Sequence, residues 1–79
     1  MIKVQALSRE LVDGHPAGGA HFYWEPGSRV VLVQEWEHRA SGPVWDQVVA
    51  DPMSGTDLCV YIKECWDHYI IVDVEEEHC

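Results

Sequence analysis

The chain has 79 residues, 47% of them hydrophobic, and fourteen Asp and Glu against five Lys and Arg give a net charge of -9. That length holds one small domain and not two, and the charge opposes nucleic acid and anionic membrane as direct ligands while drawing basic protein surfaces and cations. No run is apolar for long enough to span a membrane or to serve as a secretory signal, and the three cysteines, Cys59, Cys65 and Cys79, are an odd number; the expected setting is the reduced cytoplasm.

Residues 2–7 (IKVQAL) alternate and predict a first strand, with a continuation towards Val12. Residues 13–19 (DGHPAGG) are turn chemistry and read as a flexible loop. Residues 20–25 (AHFYWE) predict the second strand, and Pro26-Gly27-Ser28 the turn that follows. A three-residue loop there opposes Glu25 to Arg29 and Tyr23 to Val31, and gathers Ala20, Phe22, Trp24, Val30, Leu32 and Trp36 on one face. Arg29 to Arg39 (RVVLVQEWEHR) carries the strongest strand signal of the chain. Its first half is apolar on both parities; its second half is amphipathic.

Ala40 to Pro43 breaks that strand, and residues 44–50 (VWDQVVA) favour a further strand over a short helix. Asp51 to Gly55 reads as a loop. Thr56-Asp57 resembles a helix start, and Leu58, Tyr61, Ile62 and Cys65 recur at helical spacing, which favours a helix over 57–67 against a strand at 58–63 suggested by Val60, Tyr61 and Ile62. Residues 69–75 (YIIVDVE) predict the last strand, with Ile70, Val72 and Val74 on one face and Tyr69, Ile71, Asp73 and Glu75 on the other, ahead of a frayed acidic tail over 75–79. The fold class that follows is α+β: a small β-rich domain, mostly antiparallel, with four or five strands and one helix packed on them.

Several constellations could carry chemistry. Cys65, His68, His78 and Cys79 contain the ligand types of a zinc site, but the second pair is adjacent and terminal, which matches no zinc spacing. Cys59 or Cys65 with His68 or His21 offers a thiol and a base with no motif for an oxyanion hole or an orienting third group. Glu35 and Glu37 share a strand face with Arg29 and Arg39, the pattern of a solvated charged face rather than of an acid–base pair. No catalytic, metal or cofactor site is expected. The aromatic residues are more numerous than so small a core needs; Phe22, Trp24 and Trp36 are assigned to the core, and Tyr23, Tyr69 and Trp66 to a surface.

The charge is lopsided. Residues 1–39 hold five acids and four bases, while residues 40–79 hold nine acids (Asp46, Asp51, Asp57, Glu64, Asp67, Asp73, Glu75, Glu76 and Glu77) and one base, Lys63. With aromatic residues interleaved and no enzyme motif, the chain resembles the small acidic anti-defence inhibitors of phages, anti-CRISPR proteins and DNA mimics among them. The resemblance covers size, charge and these acids. It implies a cytoplasmic, non-enzymatic inhibitor that occupies a basic surface of a Cas or restriction complex and blocks DNA or RNA entry. Glu64, Asp67, Asp73, Glu75 and Glu76 are the expected partner-binding residues, with Glu35, Glu37, Tyr69 and Trp66 beside them. The alternative is a self-associating structural domain, a homodimer for example, whose acidity serves solubility.

Overall fold

A computed structural model describes residues 1–37, 42, 44–49 and 54–76. Five strands form one antiparallel sheet: β1 (Ile2–Ser8), β4 (Gly18–Trp24), β5 (Val30–Glu37), β6 (Val44–Val49) and β7 (Tyr69–Glu76). Two short strands, β2 (Leu11–Val12) and β3 (His15–Pro16), make a separate hairpin, and one helix, α1 (Gly55–Cys65), lies between β6 and β7 in sequence. The sheet order is β6-β5-β4-β1-β7. β1, β4, β5 and β6 thus run as a meander, and the α1 connection carries the chain back across the sheet to set β7 beside β1. The α+β class read from the sequence holds, with five strands in the main sheet.

The segment expected as a flexible loop is ordered. Asp13 and Gly14 both adopt positive φ (54° and 81°), and the β2–β3 hairpin closes around them with Val12 opposite His15. Positive φ at both central residues is the turn that matches the twist of a two-residue hairpin, and Asp-Gly supplies it at little steric cost. Gly18 and Gly19, expected in the same loop, begin β4.

The helix begins earlier than the sequence suggested. Ser54 is the N-cap, its hydroxyl accepting from the Asp57 amide at 3.2 Å, while Asp57 brings a carboxylate to the first turn and Lys63 a cation to the last. Leu58 and Ile62, one turn apart, enter the core against Val4, Phe22, Val31 and Val33. Trp66 ends the helix, its amide donating to the Ile62 carbonyl at 2.8 Å.

The turn after β4 sets which face of β5 is inside. Trp24 opposes Val31 and Phe22 opposes Val33, one residue out from the expected pairing. Pro26 and Gly27, the latter at φ 89°, form a turn closed by the Ser28 amide on the Glu25 carbonyl (2.9 Å). Trp24 Nε1 then donates to the Ser28 carbonyl at 2.8 Å, and the Ser28 hydroxyl bonds the Val30 amide and carbonyl. These bonds make the connection longer than three residues. A one-residue change of register turns every side chain over. Val31 and Val33 are therefore fully buried, while Val30, Leu32 and Trp36, expected in the core, lie on the opposite face.

A second departure lies in β7. The pairing with β1 shifts between Gln5 and Ala6, so that Asp73 opposes Gln5 and Ile71 opposes Ala6, with Val72 left over as a bulge. Strict alternation fails there. Tyr69, Ile71, Val74 and Glu76 share the helix side, and Ile70, Asp73 and Glu75 the other. β7 extends to Glu76, so part of the expected tail is strand; residues 77–79 lie outside the described residues, as do Arg39, Asp51 and Pro52. No helix among the described residues is long and apolar enough to cross a membrane.

Candidate interaction face

The helix covers one side of the sheet. Register alone assigns the residues of the other. Lys3, Gln5 and Leu7 of β1 stand beside His21 and Tyr23 of β4, then Leu32, Gln34 and Trp36 of β5, and Trp45, Gln47 and Val49 of β6. The main aromatic residues on this side form a connected row. Tyr23 and Trp45 stack across β5, centroids 5.9 Å apart and planes at 28°; His21 lies 4.8 Å from Trp36 and 6.1 Å from Tyr23. His21 and Trp36 are diagonal neighbours on adjacent strands, within reach of large side chains on a pleated surface.

Polar groups fix the row in place. Gln34 Oε1 accepts from the Tyr23 hydroxyl at 3.3 Å and lies 3.4 Å from His21 Nδ1. Lys3 Nζ sits 5.8 Å from the Tyr23 ring centroid, a cation–π distance. Trp36 packs close over Gly19 because that neighbour has no side chain: a Cβ on Gly19 would meet Trp36 Cζ2 at 2.5 Å and the Ala6 carbonyl oxygen at 2.8 Å. Trp45 at the end of the row is 57% exposed. Large rings held rigid, with polar tips and one open side, are the anchors that protein interfaces use.

A second feature is an open groove of about 750 Å³ whose lining includes Ser8, Glu35, Glu37, His68 and Tyr69, with Trp36 of the row at its wall. The Tyr69 hydroxyl donates to Glu35 Oε2 at 3.2 Å, and the His68 and Tyr69 rings are 4.1 Å apart. Burial, then the negative charge of Glu35 and its hydrogen bond, then Glu37, push the Tyr69 phenol up to about 12. At neutral pH it is a fixed donor and no base. Tyr61 is likewise raised, by burial and by Cys65 one turn along the helix. Cys59 is half-buried against the core and Cys65 is exposed. Among the described residues no group of three or more His, Cys, Asp or Glu is placed to hold a metal ion; His78 and Cys79 lie outside them.

The nine residues named as partner-binding do not share a face. Asp73 and Glu75 point to the open side of β7. Glu64, on the helix, and Asp67, just after it, are exposed across the sheet from them. Glu76 is on the helix side near Gly55. Glu35, Glu37 and Tyr69 do come together, in the groove. Tyr69 is not a surface residue: it is buried in the core. Trp66 is half-buried, edge-on to Phe22 at 5.1 Å and to Tyr61 at 5.8 Å. Tyr23 is on the open face as expected, but His21, Gln34, Trp36 and Trp45 were missed as its neighbours. The signal that finds them is the length of the 25–30 connection, which sets the parity of β5 and hence of β6.

Fold and face together define a small α+β domain with one covered and one uncovered side of an antiparallel sheet. No protein-family model matches the chain, and no curated protein or solved structure matches it either.

Proposed function

We propose that this chain is a non-enzymatic binding protein that occupies a basic surface of a nucleic-acid-processing protein, a Cas or restriction complex in the anti-defence reading, and blocks entry of DNA or RNA. The observation that carries the proposal is the uncovered aromatic row from Trp36 to Trp45 on a molecule of net charge -9. The rings supply anchors; the charge selects a basic partner and steers it, so that association is fast and weakens with salt. The spread of acids over both sides of the sheet favours an interface that combines one acidic rim with aromatic contacts over a fully acidic mimic of a phosphate backbone.

The test is capture of partners from a lysate containing CRISPR and restriction systems, followed by competition with DNA or RNA. A single basic nucleic-acid-binding protein, displaced by added nucleic acid, supports the proposal. Two charge-reversal pairs then separate the faces: Asp73→Lys with Glu75→Lys on the open side, and Glu64→Lys with Asp67→Lys on the helix side. If neither pair weakens inhibition, the acidic contribution is wrong. Exposure of Val44, Trp45 and Val49 on one edge strand and of Ile70, Val72 and Val74 on the other favours a second reading, self-association; recovery of nothing but the chain itself would move the conclusion there.

A further inference from the structure

β6 closes one end of the sheet order, and Val44, Trp45 and Val49 on it are 68%, 57% and 84% exposed. An edge of this kind is a template for another strand. Its backbone shows which residues turn their groups away from β5. The Gln47 amide donates to Asp46 Oδ1 at 2.8 Å, so it does not point into the ladder with β5. In an antiparallel strand the N–H and C=O of one residue point to the same side, and the side alternates along the strand. Trp45, Gln47 and Val49 therefore present the outward groups, while Val44, Asp46 and Val48 pair inward with Glu35, Val33 and Val31. The Asp46 carboxylate lies over the middle of the outward row.

We propose that the β6 edge receives an extended segment of a basic partner by strand addition. The proposal rests on the reading above that the partner is basic, and adds where and how it docks. Side chains of an added strand alternate between faces. On the helix side one of them meets Asp46; on the open side its neighbours meet Trp45 and Val49. The fitting segment alternates Lys or Arg with apolar residues. A cation beside Asp46 draws the carboxylate from the Gln47 amide and frees that donor for the ladder, so Asp46 acts as a charge-selective gate. A second copy of this chain fits less well, because it joins two molecules of charge -9 and supplies no cation to Asp46 from the β6 strand. Six residues span roughly 20 Å of an edge about 5–10 Å across, on the order of 100–200 Å² and well short of the about 800 Å² per partner of a standard interface. An isolated segment therefore binds weakly, and full affinity needs the adjoining aromatic row.

The experiment is an amide-resolved NMR titration of the whole chain with a short capped peptide alternating valine and lysine, and with a valine–glutamate peptide as control. Expected are shifts and new exchange protection at Trp45, Gln47 and Val49 with the lysine peptide alone. Gln47→Pro removes an outward donor that β5 does not use, a placement edge strands tolerate; it should weaken binding about tenfold, the scale of one lost hydrogen bond with a steric block, at an unchanged thermal transition. Asp46→Lys should reverse the preference towards the glutamate peptide, and does so whether or not the proline variant folds. Shifts at Asp73, Glu75 or Glu64 with β6 silent would overturn strand addition and leave the basic-partner reading standing. No shift anywhere, with this peptide or with polylysine, would overturn both. Shifts at β6 that track protein concentration with a doubled mass would replace the basic segment by a second copy.

Discussion

The two sides of the one sheet are built on different terms. The covered side is small and aliphatic around three buried rings: Val4, Ala6, Ala20, Val31 and Val33 leave room for Phe22, Trp24 and Tyr69, and Leu58 and Ile62 of the helix complete the core. Among the described residues no buried side-chain nitrogen or oxygen lacks a partner, and no polar residue is fully buried. The open side carries a ring row, a glutamine that ties His21 to Tyr23, and a lysine over the Tyr23 ring. Packing density gives the first side its stability. The second side keeps its shape without being covered, through hydrogen bonds and ring contacts. A surface rigid before binding loses little conformational freedom when a partner arrives. If the open side is the proposed binding face, stability and partner affinity should respond to substitutions on different sides of the sheet.

Phe22→Ala should have the largest effect. The ring is fully buried and meets Trp66 edge-on, and its loss costs about 3–5 kcal/mol. A core of this size supplies roughly 3–5 kcal/mol in all, so the variant should be largely unfolded at room temperature by circular dichroism. A cooperative transition close to that of the parent chain would mean that the helix side is not the seat of stability. Gly19→Ala comes next and acts from the open side. The added methyl displaces Trp36 and presses on the Ala6 carbonyl, an overpacking cost of about 1–3 kcal/mol. It should also disturb His21, which leans on Trp36, and so lower partner affinity together with stability. It is the one substitution expected to move both.

How much of this division was legible in the sequence depended on where alternation was clean. β1 and the helix were readable because Ile2, Val4 and Ala6, and Leu58 with Ile62, repeat at one period each. β5 was not, because Val30 to Val33 is apolar on both parities and offers no inside. The choice passed to the turn, and the turn passed it to Ser28, whose carbonyl and hydroxyl bonds lengthen the connection by a residue. β7 failed for another reason: the bulge at Val72 breaks the period midway, so Ile71 and Val74 face the same way. The candidate site inherited both errors. Asp73 and Glu64 were both expected among the partner-binding residues, and the sheet separates them. Strict alternation sets Tyr69 on the face of Asp73 and Glu75 and so at a surface, but the strand buries its ring and leaves the hydroxyl an acceptor in Glu35.

That hydroxyl provides a smaller test, on the covered side. Tyr69→Phe removes the bond to Glu35 and should cost about 1 kcal/mol near neutral pH. Its pH dependence gives a sharper reading. The phenol is raised from 10.0 to about 12 in the folded chain, so the unfolded state loses this proton first as pH rises. Between these values the folded state binds more protons than the unfolded state, and stability must fall with rising pH. The stability tied to Tyr69 is fully present below pH 10 and is lost as pH climbs to about 12. Denaturant midpoints measured across that range should slope downwards for the parent chain and less steeply for Tyr69→Phe. Equal slopes would mean that Tyr69 is not held neutral by burial and Glu35.

Trp45→Ala should have the smallest effect on folding and is the most direct test of the division. The indole is more than half exposed, at 57%, and its stacking contact is the Tyr23 ring. Losing one exposed aromatic pair costs about 0.5 kcal/mol, so the thermal transition should barely move. Binding should respond differently. An aromatic anchor at an interface contributes roughly 2 kcal/mol or more on truncation, a loss of affinity of about thirtyfold. Trp45 also stands where the ring row meets the β6 edge, so the same variant should weaken capture of the valine–lysine peptide and of the whole partner alike. Stability and affinity are therefore best measured on one preparation. A large drop in melting temperature would place Trp45 in the core and dissolve the distinction between the two sides. Unchanged stability with unchanged affinity would keep the distinction but deny the open side its role in recognition.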